Sequence, residues 1–204
     1  MIAPTLATER LIITPTTLDH WEEYAAAWAN PRMTEFIGGE PRNRTTSWGK
    51  FLQGIGLWPL FGYGYWSFID RANGKLLGNG GLAHFERGIP RLEGFPEAGW
   101  AFVPDAWGRG LATEAMAAVF AWADTELKAP EIRCIIDPGN AASERVAAKI
   151  GFVKIGEADD TIERTNLYSR KPRYLCDKLC ITGSLGLPTR ALAARCQICP
   201  VLSA

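Results

Sequence analysis

From Ala98 to Val103 the chain reads Ala-Gly-Trp-Ala-Phe-Val, without a polar side chain. A short run of this kind fits a strand buried on both faces. Pro104 ends it, because proline has no N–H for a central ladder. Past Trp107-Gly108-Arg109-Gly110 the period changes, and Ala112, Ala115/Met116, Val119, Trp122/Ala123 and Leu127 recur at helical spacing. The order is therefore strand, glycine turn, helix. Such a turn points backbone N–H groups outward at a positive helix terminus, an arrangement that binds phosphate. At Gly108 and Gly110 a missing Cβ lets a pyrophosphate approach the main chain. There is no Gly-x-x-x-x-Gly-Lys-Ser/Thr, and the third glycine position of a Gly-x-Gly-x-x-Gly fingerprint holds Thr113, so neither nucleotide loop applies.

Around this centre the pattern predicts further elements. Residues 10–14 form a β-branched strand. Thr17 caps a helix whose apolar stripe is Leu18, Trp21, Tyr24/Ala25 and Trp28, read as core packing, and Asn30-Pro31 stops it. Residues 45–57 are a second helix, interrupted by Gly49, Gly54 and Gly56. Trp58–Trp66 reads as an aromatic, glycine-rich loop, either covering the core or forming a mobile lip around an acceptor. Strands follow at 65–69 and 75–85 across an Asn73-Gly74 turn, with a bulge among Gly78, Gly80 and Gly81. Residues 131–137 are a strand with Ile132, Cys134 and Ile136 on one face. Asn140 caps a helix with Ala142, Val146 and Lys149/Ile150 turned inward, and Gly151 closes it. Residues 152–155 and 167–169 are the last strands. The expected fold is α/β (α+β): a mixed, mostly antiparallel sheet of six to seven strands with helices on both faces.

Composition narrows the field without choosing a chemistry. The chain has 204 residues, 47% of them hydrophobic and 22% charged, which argues for an ordinary globular core. Its 22 basic and 22 acidic residues balance, so no basic field exists to neutralise nucleic-acid phosphates. No apolar run reaches the length of a membrane span. The start, Met1-Ile-Ala-Pro-Thr, is too short and polar for a signal peptide. A soluble, cytoplasmic protein, monomer or homodimer, is the expectation. The boundary is placed at 172. Residues 1–172 form one domain, and 173–204 an extension with Cys176, Cys180, Cys196 and Cys199 in two pairs. Those pairs invite a zinc reading, but the first spacing is loose, and no metal is expected.

A second block, Asp137-Pro-Gly-Asn140-Ala-Ala-Ser143 running to Gly151-Phe152, gives the glycine turn its context. Together the two blocks resemble the GNAT acetyltransferases, in particular the branch of the ribosomal-protein N-acetyltransferases RimJ and RimL. The turn is similar to that family's Gln/Arg-x-x-Gly-x-Gly/Ala acyl-CoA loop, with Asp105 at the Gln/Arg position. The second block is similar to its Asn-x-x-Ser helix, and Thr8-Glu9-Arg10-Leu11 resembles the start of that branch. The resemblance covers residues 5–172 and implies acetyl-CoA as acetyl donor. It assigns Phe102, Val103, Trp107, Gly108, Arg109, Gly110, Leu111, Ala112, Thr113 and Asn140 to that donor. The central strand is expected to splay from its neighbour to admit pantetheine, with an oxyanion donor among the N–H groups of Trp100–Val103.

Transfer to an amine also needs a base and an acid. Glu97 is the base candidate, read otherwise as a solvent-facing glutamate at a strand start, with Glu93, Asp105 and Glu157 behind it. The tyrosine that many family members place four or five residues before Gly-Phe is absent, since Ala147 and Val146 stand there. Ser143, on the same helix, takes the acid role or else bonds its own helix backbone. Asn140 bonds pantetheine or only caps. Asp105 is expected to point away from the pyrophosphate, and Arg109 adds charge or is merely solvated. His20 and His84 have no partner at a recognisable spacing. The implied partners are acetyl-CoA and an amine acceptor, either a protein N-terminus or a small molecule such as a polyamine or aminoglycoside. A non-catalytic acyl-CoA-binding module is the alternative.

Overall fold

The structure, a computed structural model, describes residues 3–158 and 165–172. The expectations for 173–204, including the cysteine pairs, lie outside the described residues. In chain order the elements are β1 (Leu6–Ala7), β2 (Leu11–Pro15), α1 (Trp21–Trp28), α2 (Pro31–Thr34) and α3 (Arg44–Phe61). Next come β3 (Tyr65–Asp70), β4 (Leu76–Ala83), β5 (Glu97–Phe102) and α4 (Leu111–Trp122). The last are β6 (Ile132–Ile136), α5 (Ala141–Lys149), β7 (Val153–Ala158) and β8 (Thr165–Arg170). The strands form one sheet in the order β1-β2-β3-β4-β5-β6-β8-β7, antiparallel except for β5 against β6. Eight strands exceed the expected six to seven by the two-residue β1, too short to leave a pattern in the sequence.

The sheet is packed on both faces. On one, Met116, Val119 and Phe120 of α4 and Ala147 of α5 meet Trp66, Phe68, Phe102 and Ile132. On the other, Tyr24 and Trp28 of α1 and Phe51 of α3 meet Ile69, Leu76 and Ala101. Ala101 and Phe102 fall in different clusters, which is the two-sided burial that the apolar run of β5 predicts.

Two local expectations need correction, and one holds but gains a further element. The Trp58–Trp66 stretch is not a loop, because α3 runs through Pro59 to Phe61 and ends at Gly62, whose N–H bonds the Trp58 carbonyl at 3.0 Å. Its glycines are not demanded by close packing: a Cβ at Gly54 would lie at ordinary contact distance, 3.6 Å from the Tyr65 Cβ, and one at Gly49 or Gly56 would meet nothing within 4 Å. Buried Leu57 and Trp58 hold the last turn in place despite the proline. Second, Asn30-Pro31 ends α1 but also starts α2, with the Asn30 side chain accepting from Arg32 N–H. Third, α5 turns Ala147 and Ile150 inward, whereas Ala142 and Lys149 are exposed. The alanine-rich helix offers two stripes of similar hydropathy, and Phe152 packing on Phe120 selects between them.

A buried ion pair fixes the far ends of the helices that carry the site. Arg170 of β8 is 4% exposed and holds Asp124, beyond the end of α4, through Nη1 and Nη2 at 2.7 and 2.6 Å. Its Nε donates to the Ile150 carbonyl at the end of α5. Asp124→Asn is expected to cost about 3 kcal/mol in urea unfolding, because it leaves a buried guanidinium uncompensated. The double change Asp124→Leu/Arg170→Met is expected to cost much less, and a larger loss in the double variant would contradict this assignment.

Candidate active site

The site begins where β5 and β6 part. These parallel strands pair only at Glu97 and Arg133, with Arg133 N–H on the Pro96 carbonyl at 3.0 Å. On the other edge of β5, Val103 N–H bonds Leu77 of β4 at 2.8 Å. Backbone direction alternates along a strand, so Ala98, Trp100 and Phe102 address the opening. Val103 N–H is thereby taken, and Trp100 and Phe102 supply the donors that face the gap. The Phe102 carbonyl, on the same edge, accepts the Trp107 indole N–H at 2.7 Å.

At the open end lies the glycine turn. Gly108 and Gly110 have φ of +72° and +77°, conformations that other L-residues rarely adopt. A Cβ on Gly108 would meet nothing within 4 Å, so the turn is open to a ligand. The N–H groups of Leu111, Ala112 and Thr113 precede the first intrahelical bond, from Glu114 N–H to Gly110 at 3.1 Å. The turn is braced from the N-terminus. Thr8 Oγ1 and Arg10 N donate to Glu114 Oε1 at 2.6 and 2.9 Å, and Arg10 Nε donates to Oε2 at 2.7 Å. Arg10 Nη1 holds the Arg109 carbonyl at 2.8 Å.

Between the two strands opens a cavity of about 530 Å³. Its wall toward α5 includes Trp100, Asn140 and Ser143. Asn140 Oδ1 caps α5 by accepting Ser143 N–H at 3.0 Å. The Ser143 hydroxyl makes no bond to its own helix among the described residues. Glu97, 6% exposed, also lines the cavity, and Arg87 Nε holds both its oxygens at 3.1 and 2.9 Å. Cys134 lines it too, its thiol pushed well above the ordinary value by burial and by the Glu97 charge.

A family model described as an acetyltransferase (GNAT) domain matches residues 10–153. The chain belongs to the GNAT acetyltransferase family. Among curated proteins it is 31% identical to the uncharacterized protein YkkB of Bacillus subtilis (strain 168), over 59% of this chain and 67% of that one. It is 27% identical to the uncharacterized N-acetyltransferase YoaA of the same organism, over 83% and 98%. An acetyltransferase structure from Agrobacterium tumefaciens str. C58 superposes with a TM-score of 0.73 at 30% identity, covering 83% of this chain and 95% of that one. The ribosomal-protein-S5-alanine acetyltransferase from Vibrio fischeri shares the fold, with a TM-score of 0.67 at 19% identity over 83% and 97%.

In this GNAT domain, Glu97, Asn140 and Ser143 come together on one cavity, while Trp107–Thr113 lie at the start of α4. Asp105 and Arg109 are exposed. Of the other base candidates, Glu93 is exposed and lines a small adjoining pocket of about 180 Å³, and Glu157 is exposed and lines neither. Ala147, in the expected tyrosine position, is fully buried in the core. His20 and His84 have structural partners: His20 Nδ1 accepts Thr17 N–H, and His84 stacks on Phe61.

Sequence reading missed the opposite wall, which includes Tyr24, Arg42, Lys50, Tyr65 and Arg87. The only sequence trace of it is Gly99. A Cβ there would stand 2.1 Å from the Tyr65 hydroxyl, so glycine is what lets that oxygen reach the edge of β5. Burial, then the Glu97 charge, hold the Tyr65 phenol well above its usual range, and it stays a hydrogen-bond donor. Gly99→Ala is therefore expected to displace Tyr65 and lower Tm by several degrees; an unchanged Tm would show the phenol free to move.

The brace is testable by pH. Burial alone would raise the Glu114 carboxyl, but the hydrogen bonds from Thr8 and Arg10 and the Arg10 charge outweigh it, leaving it below the ordinary 4.5. A carboxylate depressed by folding stabilises the fold above 4.5 and loses that contribution as pH falls through its lowered value. Glu114→Gln is expected to cost about 1 kcal/mol at pH 7, discounted for the partly exposed arginine. The Tm difference from the parent should shrink between pH 5 and pH 3, and a pH-independent difference would rule out the ionic contribution.

Proposed function

We propose that the protein transfers the acetyl group of acetyl-CoA to a primary amine by direct attack. The carrying observation is the parting of β5 and β6 beside a cavity that holds Glu97 and Ser143, with an open glycine turn following β5 at the start of α4. The turn from Trp107 to Thr113 offers its N–H groups to the pyrophosphate, and Asn140 is left with its side-chain NH₂ for pantetheine. Phe102 lines the path by its main chain, whereas Val103 turns its N–H to Leu77 of β4 on the other edge. The N–H of Trp100 or Phe102 stabilises the developing oxyanion, a role that contributes several kcal/mol where the donor is preorganised.

Glu97 takes the amine proton directly or through a water. Arg87 Nε holds both Glu97 oxygens and so fixes where the carboxylate stands. An α-amine, with a reference pKa near 8 and roughly a tenth neutral at pH 7, asks less of any base than a lysine-like amine. Ser143 is the proton donor to the leaving thiolate, in place of the missing tyrosine. A protein N-terminal amine, the acceptor class of the RimJ/RimL branch, and a small-molecule amine both remain within this reading. The buried Ala147 and the paired Glu97 give one ground for the alternative, a binding module without turnover.

Calorimetric titration with acetyl-CoA, followed by thiol release over an amine panel, separates these. Micromolar binding with thiol release is expected. Binding without release on every amine would leave the non-catalytic module, and no binding would remove the reading of the turn. Gly108→Trp is expected to abolish binding by filling the open side of the turn. Glu97→Gln is expected to lower kcat roughly 100-fold with little change in CoA affinity. Ser143→Ala should lower kcat less for acyl donors with a more acidic thiol, and an equal loss for all donors would exclude it as the acid.

A further inference from the structure

We infer that the acceptor carries a carboxylate close to its amine. This rests on the transfer reading above and adds the substrate class to it. The observation is a set of cations on the acceptor wall that the protein itself leaves without anionic partners. Arg42, Lys50 and Arg87 all line the cavity. Arg87 is committed, since its Nε is held between the two oxygens of Glu97. Arg42 and Lys50 are not. The Arg42 guanidinium lies 3.5 Å from the centre of the Trp28 ring. Lys50 Nζ lies 5.9 Å from the Phe85 ring and bonds Gln53 Oε1 at 3.3 Å. Among the described residues neither reaches a carboxylate at ion-pair distance.

These cations disfavour one another. Burial first, then the charges of Arg42 and Arg87, lower the Lys50 ammonium below its ordinary value. Burial likewise works against the charge on Arg42. Like charges gathered on one wall at such a cost are suited to an anion from outside. The remaining acidic residues of the cavity do not answer them. Glu40 is exposed, and Asp137 accepts Gly139 N–H at 2.7 Å, beside the α5 cap on the donor side. Tyr24 and Tyr65 add hydroxyl donors, for burial pushes the first up to about 12 and the second higher still. Arginine, lysine and two phenols make a carboxylate cradle, with Arg42 preset by its stacking. Glu97, on the same cavity, is left to meet the amine. The wall suits an amino acid or an acidic peptide N-terminus and disfavours a polyamine or aminoglycoside, which would bring more positive charge to it.

The test uses matched acceptors with the full chain and acetyl-CoA: L-methionine against L-methioninamide, Ala-Asp-Ala-amide against Ala-Asn-Ala-amide, and spermidine. The expected result is at least tenfold higher kcat/KM for the carboxylate member of one pair. A preference in the first pair points to a free amino acid, and in the second to an acidic N-terminus. Lys50→Gln is expected to reduce that preference roughly tenfold, and Lys50→Glu to turn it toward spermidine, while both retain CoA affinity. Arg42→Lys, which keeps the charge, should keep more of the preference than Arg42→Gln. Equal use of both members of each pair, or a preference for spermidine in the parent, would overturn the inference and leave the transfer reading intact. Calorimetry of the same acceptors with CoA already bound reads the cradle without chemistry. Carboxylate-selective binding without turnover would support the cradle and refute transfer, and no selective binding without turnover would remove both.

Discussion

Everything at this site depends on two strands that stop pairing. A parallel pair in the middle of a sheet ordinarily satisfies every facing N–H and C=O. Here β5 and β6 hold together at Glu97 and Arg133 and then part. Backbone groups of Trp100 and Phe102 are left addressing a cavity instead of a neighbour. Such groups are costly to bury without partners, so the fold carries a ready demand for polar atoms between the strands. The opening persists because both strands are anchored elsewhere: β5 along its length to β4, and β6 to β8 over five residue pairs. Arg170 then ties β8 to the ends of α4 and α5, so the helices on either side of the opening cannot close it independently.

The two sides of the opening are built by different parts of the chain. The donor side is local in sequence: β5, the glycine turn, α4 and the Asn140 cap lie within about fifty residues. Besides the Arg170 tie, its long-range support is the Thr8/Arg10 brace on Glu114, which gives the Thr8-Glu9-Arg10-Leu11 segment a physical reason to stand where it does. The acceptor side is assembled from α1, the α2–α3 connection, α3, β3 and the segment after β4. None of these neighbours another in the way that a motif requires.

This difference explains what the sequence could and could not tell. The strand, the turn and α4 were legible because each has its own signal: an apolar run, paired glycines, a 3.6 period. Asn140 and Gly151 were legible as caps. The length of α3 was not, since its glycines and Pro59 mimic a loop, and only the burial of Leu57 and Trp58 shows that the helix continues to Phe61. The acceptor wall was legible least. Tyr24 and Trp28 sit in an apolar stripe that reads as core, and both are indeed buried, yet each also presents an edge to the cavity. Arg42, Lys50 and Arg87 read as three unremarkable surface charges until the chain folds them onto one wall.

The Arg87–Glu97 pair links the two halves of the chemistry. Arg87 fixes the carboxylate of Glu97 in the cavity, and a lysine-like amine near 10.4 would ask more of any base there than an α-amine near 8, a gap worth roughly 3 kcal/mol. The same pair removes one cation from the acceptor wall and leaves Arg42 and Lys50 to face whatever enters. Unmatched cations call for a carboxylate. An amine with a carboxylate nearby would set that charge against Arg42 and Lys50 while its nitrogen meets Glu97 on the same cavity.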